Sequence, residues 1–209
     1  MISVEEALGR VLSYVEILEP ERRPILDCLG QVLAEDVYST IDIPPLDNSA
    51  MDGYALRAED TRGASESSPV YLVVVGEVAA GSMPAQGVKQ GTAIRIMTGA
   101  PLPEGADTVV RFEDTDELSR KSSGGDLSQI GILCQAEKGL NVRYRGEDIA
   151  KGNLILKKGK VLRPQEIGVL ASLGHSTALV IRRPIVAILA TGDELIGCLL
   201  YTSDAADEE

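Results

Sequence analysis

Apolar residues recur at helical intervals near the start of the chain, at Leu8, Val11, Leu12, Val15 and Leu18. Ser3 precedes Glu6 with the spacing of a capping box, so the pattern predicts an amphipathic helix that runs until Pro20 stops it. Such a helix is apolar on one side and needs a partner. Pro24 predicts a short extended entry, and a second helix is expected from about Asp27 to Glu35. Ile43-Pro44-Pro45 then imposes an extended backbone, and the small polar residues of DNSAMDG, ending at Gly53, predict a rigid loop rather than a packed strand.

The texture changes at Val70. Up to about Gln135 the runs VYLVVV, AIRIM, DTVVRF and IGILCQA are rich in β-branched residues and are separated by Gly, Pro and Ser, which predicts a small barrel or sandwich. Ser119 to Ser128, with Gly124-Gly125 inside it, reads as an exposed hairpin tip. NLILKKGKVL, from Asn153 to Leu162, reads as a hairpin turning at Lys158-Gly159. Pro164 should then open a helix through Glu166, Ile167, Leu170 and Ala171 that Gly174 ends. Ile185 to Ala190 is apolar at every position, which suits a strand buried on both faces of a parallel sheet; a buried helix is the alternative. Thr191 to Glu209 is too short for the crossover and further strands of such a sheet. The stretch IGCLLYTSDAADEE lacks the helix that should follow, so residues 196–209 are expected to be a non-native or disordered tail.

Composition narrows the function classes. Aromatics make up only 3% of the chain, with no Trp, so the cores must be aliphatic and no base-stacking platform is available. A formal charge of −12 would repel a phosphate backbone, which argues against a nucleic-acid partner. No apolar run approaches the ~20 residues that cross a bilayer. MISVEEALGR has no basic flank before an apolar segment, and the expected location is the cytoplasm. Cys28, Cys134 and Cys198 show no CxxC spacing and His175 stands alone, so free thiols are expected and a zinc site is not.

Three acidic loops carry the candidate chemistry: MDGY at Met51 to Tyr54, RGED at Arg145 to Asp148, and TGDEL at Thr191 to Leu195. Each contains glycine, which permits positive φ or the close approach of a ligand. Clustered carboxylates without His or Cys point to a hard cation such as Mg2+ and to phosphate chemistry, whereas a single Asp-Gly pair is more often a solvated turn. RIMTGAP places the Thr98 hydroxyl and the Gly99 amide just after a strand, where N–H groups can converge on an oxyanion. NVRYRGED puts Arg143 and Arg145 on one side of an extended segment, for anion binding or for ion pairs with Glu147 and Asp148. TGDEL follows the apolar run, at the strand end where ligands of open α/β sheets bind.

Together PPLDNSAMDGYA, RIMTGAPLPEGADTVV, VRYRGEDI and IVAILATGDEL resemble, in order, the successive signatures of the molybdopterin molybdenumtransferase family, over Ser3 to Leu195. The resemblance implies an α+β, mixed fold. A discontinuous α/β first domain (residues 1–52 and 140–182) would be interrupted by a β-rich, barrel-like second domain (53–139), and residues 183–195 would be the truncated start of a parallel α/β molybdopterin-binding domain. It also implies an enzyme that takes adenylated molybdopterin and molybdate as substrates, uses Mg2+, releases AMP and works as a homodimer. Carried over by position, Asp52, Asp148 and Glu194 are the expected acidic catalytic residues. Thr98, Ser49, Arg143 and Arg145 are the expected substrate contacts, with Asp193 and Glu194 at the metal. Since the family continues beyond Leu195 where this chain does not, the chain as it stands is expected to be inactive. The alternatives are a non-catalytic dimerisation or scaffold module and a metal-dependent phosphate-ester hydrolase.

Overall fold

The structure, a computed structural model, describes residues 2–188. Helix α1 spans Val4–Leu12; the Ser3 hydroxyl caps it by accepting the Glu6 N–H at 3.1 Å, and Arg10 pairs with Glu6 at 2.7 Å. It stops well before Pro20. At Ser13 the hydroxyl donates to the Arg10 carbonyl, one of the groups a longer helix would use for its own ladder. No residue of α1 is buried, so the partner its apolar side calls for is not found among the described residues.

The strands, in chain order, are β1 (Pro20–Pro24), β2 (Val37–Tyr38), β3 (Asn48–Ser49), β4 (Gly53–Leu56), β5 (Val70–Val78), β6 (Thr92–Ile96), β7 (Thr108–Arg111), β8 (Gln129–Ile132), β9 (Val142–Arg143), β10 (Leu154–Leu156) and β11 (Thr177–Ile181). Two further α-helices, α2 (Glu117–Ser122) and α3 (Pro164–Ser172), and short 3-10 turns at Ile25–Asp27, Ala58–Thr61 and Phe112–Asp114 complete the regular elements among the described residues. The fold is mixed and sheet-rich, with few helices.

The helix expected over Asp27 to Glu35 does not form. A single 3-10 turn at Ile25–Asp27 gives way at Gly30, whose φ is 79°, and Val32 and Leu33 enter bridges with Val161 and Val180. Long-range pairing outcompetes local helix here: the Leu33 N–H goes to the Lys160 carbonyl and the Ala34 N–H to the Leu179 carbonyl. These contacts belong to a larger pattern. β1 pairs antiparallel with β11, β2 with β10 and β3 with β9, so each of the three strands before Ala50 is matched by one after Asn141. Their shared core packs Ile25, Cys28, Leu33 and Val37 against Leu156, Leu162, Leu170 and Val180.

Between them lies a five-stranded sheet in the order β7-β4-β6-β5-β8, antiparallel except for the β5–β6 pair. Side chains alternate across it. Tyr54, Leu56, Ala93, Val110 and Ile130 fill one face, while Ala55, Val78, Ile94, Ile96 and Val109 fill the other. Beyond β7 the chain turns so that Thr115 bridges Ile132 of β8.

Two expected hairpins resolve differently. The start of the supposed tip at Ser119 to Ser128 lies in α2, supported by Arg120–Asp116 and Lys121–Glu117 ion pairs at helical spacing. The turn at Lys158-Gly159 is present, but its arms do not pair with each other: β10 pairs with β2 and Val161 bridges Val32. The α3 expectation holds, with Pro164 in the first turn and Gly174 at φ 80° after the end. Arg163 donates its backbone N–H and its guanidinium to Glu166, which holds that carboxyl down to about 2. From Ile185 to Ile188 no strand forms, and Ile185 and Ile188 are more than nine-tenths exposed, because no described segment offers them a pairing edge. The rest of that run, TGDEL with Asp193 and Glu194, and the tail at 196–209 lie outside the described residues.

Candidate functional site

Backbone hydrogen bonds gather two of the other sequence motifs around DNSAMDGYA. On one side the Ser49 N–H donates to the Ala100 carbonyl at 3.0 Å, the Gly99 N–H to the Ser49 carbonyl at 2.8 Å, and the Leu102 N–H to the Asp47 carbonyl at 2.9 Å. On the other, β3 pairs with β9, and the Ala50 N–H reaches the Asn141 carbonyl at 2.9 Å. The loop after β9 continues alongside, with the Gly146 N–H on the Pro44 carbonyl and the Asp148 N–H on the Ile43 carbonyl. The IMTGAP and RGED strings thus flank the DNSAMDG loop, although they lie far apart in sequence.

Asp52 is the last loop residue before β4, and Thr98 follows β6, its neighbour in the sheet. The Asp52 carboxylate oxygen Oδ1 accepts both the Thr98 N–H and the Thr98 hydroxyl, each at 2.7 Å. The backbone bond first, then the hydroxyl, and more weakly the charge of Arg95, hold the Asp52 carboxyl below its ordinary value. Gly99 makes the turn possible: its φ is 79°, and the Ala100 N–H closes back on the Met97 carbonyl. The outcome is an ionised carboxylate and a hydroxyl on an exposed rim, suited to binding a polar ligand.

The remaining expected site residues are placed as follows. Ser49 is buried, and its hydroxyl donates to the Met51 carbonyl and accepts the Met51 N–H, so it closes the loop. Arg143 pairs with Asp148 at 2.6 Å and with Glu147 at 3.4 Å. Arg145 pairs with Asp42 at 2.6 Å instead, and its N–H donates to the Asp47 carboxylate. The Lys151 N–H and then the Arg145 side chain keep the Asp42 carboxyl below the usual range. Exposed pairs of this kind hold only weakly, so Arg143 and Asp148 are not locked to each other. Among the described residues no group of three or more His, Cys, Asp or Glu side chains gathers in a way that could hold a metal ion.

Arg95 and Glu117 were not picked out from the sequence. Glu117 in α2 is buried, and its carboxylate lies 3.1 Å from Arg95 Nε and 2.6 Å from Lys121 Nζ. Burial works to raise the Glu117 carboxyl, but hydrogen bonds from Lys121 and Tyr54 and the charge of Arg95 outweigh it, so the net direction is down. Tyr54, buried beside this carboxylate, has its hydroxyl pushed up. The available signal was a charged residue in the middle of AIRIM, an otherwise apolar strand.

Replacing Thr98 by Val should raise the Asp52 carboxyl toward the ordinary aspartate value, because the hydroxyl bond is lost while the amide bond can persist. Since a depressed carboxyl stabilises the fold above its unfolded value and loses that effect as acid protonates it, wild type and T98V should differ in melting temperature at neutral pH and converge in acid. Carboxyl-carbon NMR titration with parallel melts measures both; an unmoved Asp52 would disprove the assignment.

Fold and loops together define a mixed, sheet-rich protein in which glycine-containing loops bring a hydroxyl, carboxylates and guanidinium groups to one region. A family model described as the MoeA N-terminal region (domain I and II) matches residues 2–174, and the chain belongs to that family. A protein named molybdopterin molybdenumtransferase from Staphylococcus aureus (strain MRSA252) is 38% identical over 195 residues, covering 93% of this chain and 45% of the relative. Molybdopterin molybdenumtransferase 2 of Mycobacterium tuberculosis (strain CDC 1551 / Oshkosh) is 39% identical, with 93% and 46% covered. A crystal structure of the molybdopterin biosynthesis moeA protein from Pyrococcus horikoshii OT3 matches with a TM-score of 0.79 and 38% identity, over 88% of this chain and 47% of that one. The chain spans about half the length of the curated relatives it matches.

Proposed function

We propose that this chain is the N-terminal part of a molybdopterin molybdenumtransferase, which inserts molybdate into adenylated molybdopterin and releases AMP in a homodimer in the cytoplasm. The supporting observation is the carboxylate–hydroxyl pair of Asp52 and Thr98, set where the DNSAMDG and IMTGAP loops meet and flanked by the RGED loop. In this reading the Thr98 hydroxyl orients a substrate oxygen, Asp52 stays ionised at neutral pH, and Arg143 leaves Asp148 to meet anionic oxygen. The carboxylates are of the right kind for Mg2+, but the described residues bring no three of them together. The reading keeps the division into a discontinuous first domain and an inserted β-rich second domain, which the pairing of β1–β3 with β9–β11 favours.

The test supplies adenylated molybdopterin, molybdate and Mg2+ to the intact gene product and follows AMP. Release is expected, with Asp52→Asn lowering it about 100-fold or more, the scale on which removal of one transition-state contact acts. Absence of release in an otherwise folded protein, or full activity in D52N, would count against the reading.

A further inference from the structure

We propose that Arg95, held by Glu117, is a positioning residue for the Asp52–Thr98 pair. The proposal rests on the reading that this pair meets substrate. One nitrogen of Arg95, Nη1, donates to the Gly53 carbonyl at 3.1 Å and to the Ile96 carbonyl at 3.2 Å. Gly53 directly follows Asp52, and Ile96 ends the strand that leads to Thr98. The guanidinium therefore clips β4 to β6 at the point where both chains leave the sheet for their loops. A third restraint comes from the Phe112 N–H, which donates to the Asp52 carbonyl at 3.2 Å.

Arg95 is itself confined. Its guanidinium lies over the rings of Tyr54 and Phe112, 5.4 and 5.8 Å from their centres, and its Nε meets Glu117 at 3.1 Å. The Glu117 side chain is only 1% exposed and is also held by Lys121. A buried ion pair is a poor way to gain stability, since apolar residues of similar size usually serve at least as well. Apolar side chains cannot donate hydrogen bonds to two carbonyls, and a lysine cannot reproduce the planar fork that meets Glu117 and both carbonyls at once. The geometry thus assigns this pair the work of fixing where Asp52 stands relative to Thr98.

The experiment follows the Asp52 carboxyl by carbon NMR and the Thr98 amide by proton NMR in this chain, for wild type, Arg95→Lys, Arg95→Met and the double variant R95M/E117L. R95K keeps the charge but not the clip. The expected result is that R95K moves the Asp52 midpoint upward and weakens the Thr98 amide bond, as seen in its shift and exchange rate. Should R95M fail to fold, the double variant, which leaves no buried charge uncompensated because Lys121 is exposed, takes its place. A wild-type midpoint and amide in R95K would overturn the proposal, and so would a change in R95M that R95K does not share, since that would be a charge effect alone. In the intact gene product, R95K should cut AMP release at saturating substrate by about 10- to 100-fold, as expected for a misplaced site group. A loosened pair with undiminished release would also overturn it. Lack of AMP release by the wild type would instead remove the functional reading, and the NMR outcome would still decide whether Arg95 positions the pair.

Discussion

Gly53→Ala should disrupt the five-stranded sheet. A Cβ on Gly53 would stand 2.0 Å from the Val110 carbonyl oxygen and 2.9 Å from the Arg111 Cα. Both are backbone atoms of β7, so no rotamer change relieves the clash. β4 is an interior strand, with Gly53 opposite Ile96 on one side and Arg111 on the other, and moving it away from β7 pushes it into β6. The strain exceeds ordinary core overpacking, which places the cost at about 3 kcal/mol or more. That is a large part of the ~5–15 kcal/mol that holds a typical domain together. A melting temperature lower by roughly 6–12 °C or more follows for a chain of this size. Because Gly53 adjoins Asp52, the Thr98 bonds should also be lost in whatever fraction still folds. A melt unchanged by G53A would mean that β4 and β7 are not packed at this distance.

Glu117→Leu should cost nearly as much, for an electrostatic reason. The carboxylate is buried between Arg95 and Lys121, and removing it strands the Arg95 guanidinium against Tyr54 and Phe112 without a counter-charge. Breaking one side of a buried pair costs about 3–5 kcal/mol, whereas replacing both sides by apolar residues is often neutral or stabilising. R95M/E117L should therefore recover most of the stability that E117L loses, as read from denaturant midpoints of wild type, both single variants and the double. The wild type should also carry an acid sensitivity that the double variant lacks. Glu117 is lowered on balance, so its contribution is present above the unfolded carboxyl value and disappears as pH falls through the folded one. Equal losses in E117L and the double variant would show that Glu117 matters for packing rather than for charge.

Local pattern carried much of the fold. The β-rich runs from Val70 onward became β5 to β8, the Pro164 helix ended before Gly174 as its residues required, and Ser3 capped α1. Signals failed where distant chain supplied the stronger partner. The Asp27 to Glu35 segment has enough apolar residues for a helix, yet Val32 and Leu33 gain more by pairing with Val161 and Val180, residues that sequence spacing cannot foresee. The apolar run at Ile185 to Ile188 erred the other way: it has the composition of a buried strand, but a strand needs a neighbour, and no described segment supplies one.

The site divides similarly. Asp52, Thr98 and Asp148 stood out because Gly-containing acidic and hydroxyl strings are legible one loop at a time, and four such strings in order pointed to the family to which the chain belongs. Their grouping was not legible. Only the pairing of Ser49 with Ala100 and Val142 brings DNSAMDG, TGAP and the RGED loop together, and only the tertiary fold sets Glu117 of α2 against Arg95 of β6. The sequence by itself determined the local chemistry, meaning which residues could ionise, turn or donate. Tertiary structure alone decided which of those groups meet, because hydrogen bonds and burial between segments from 22 to 98 residues apart depend on how the whole chain folds.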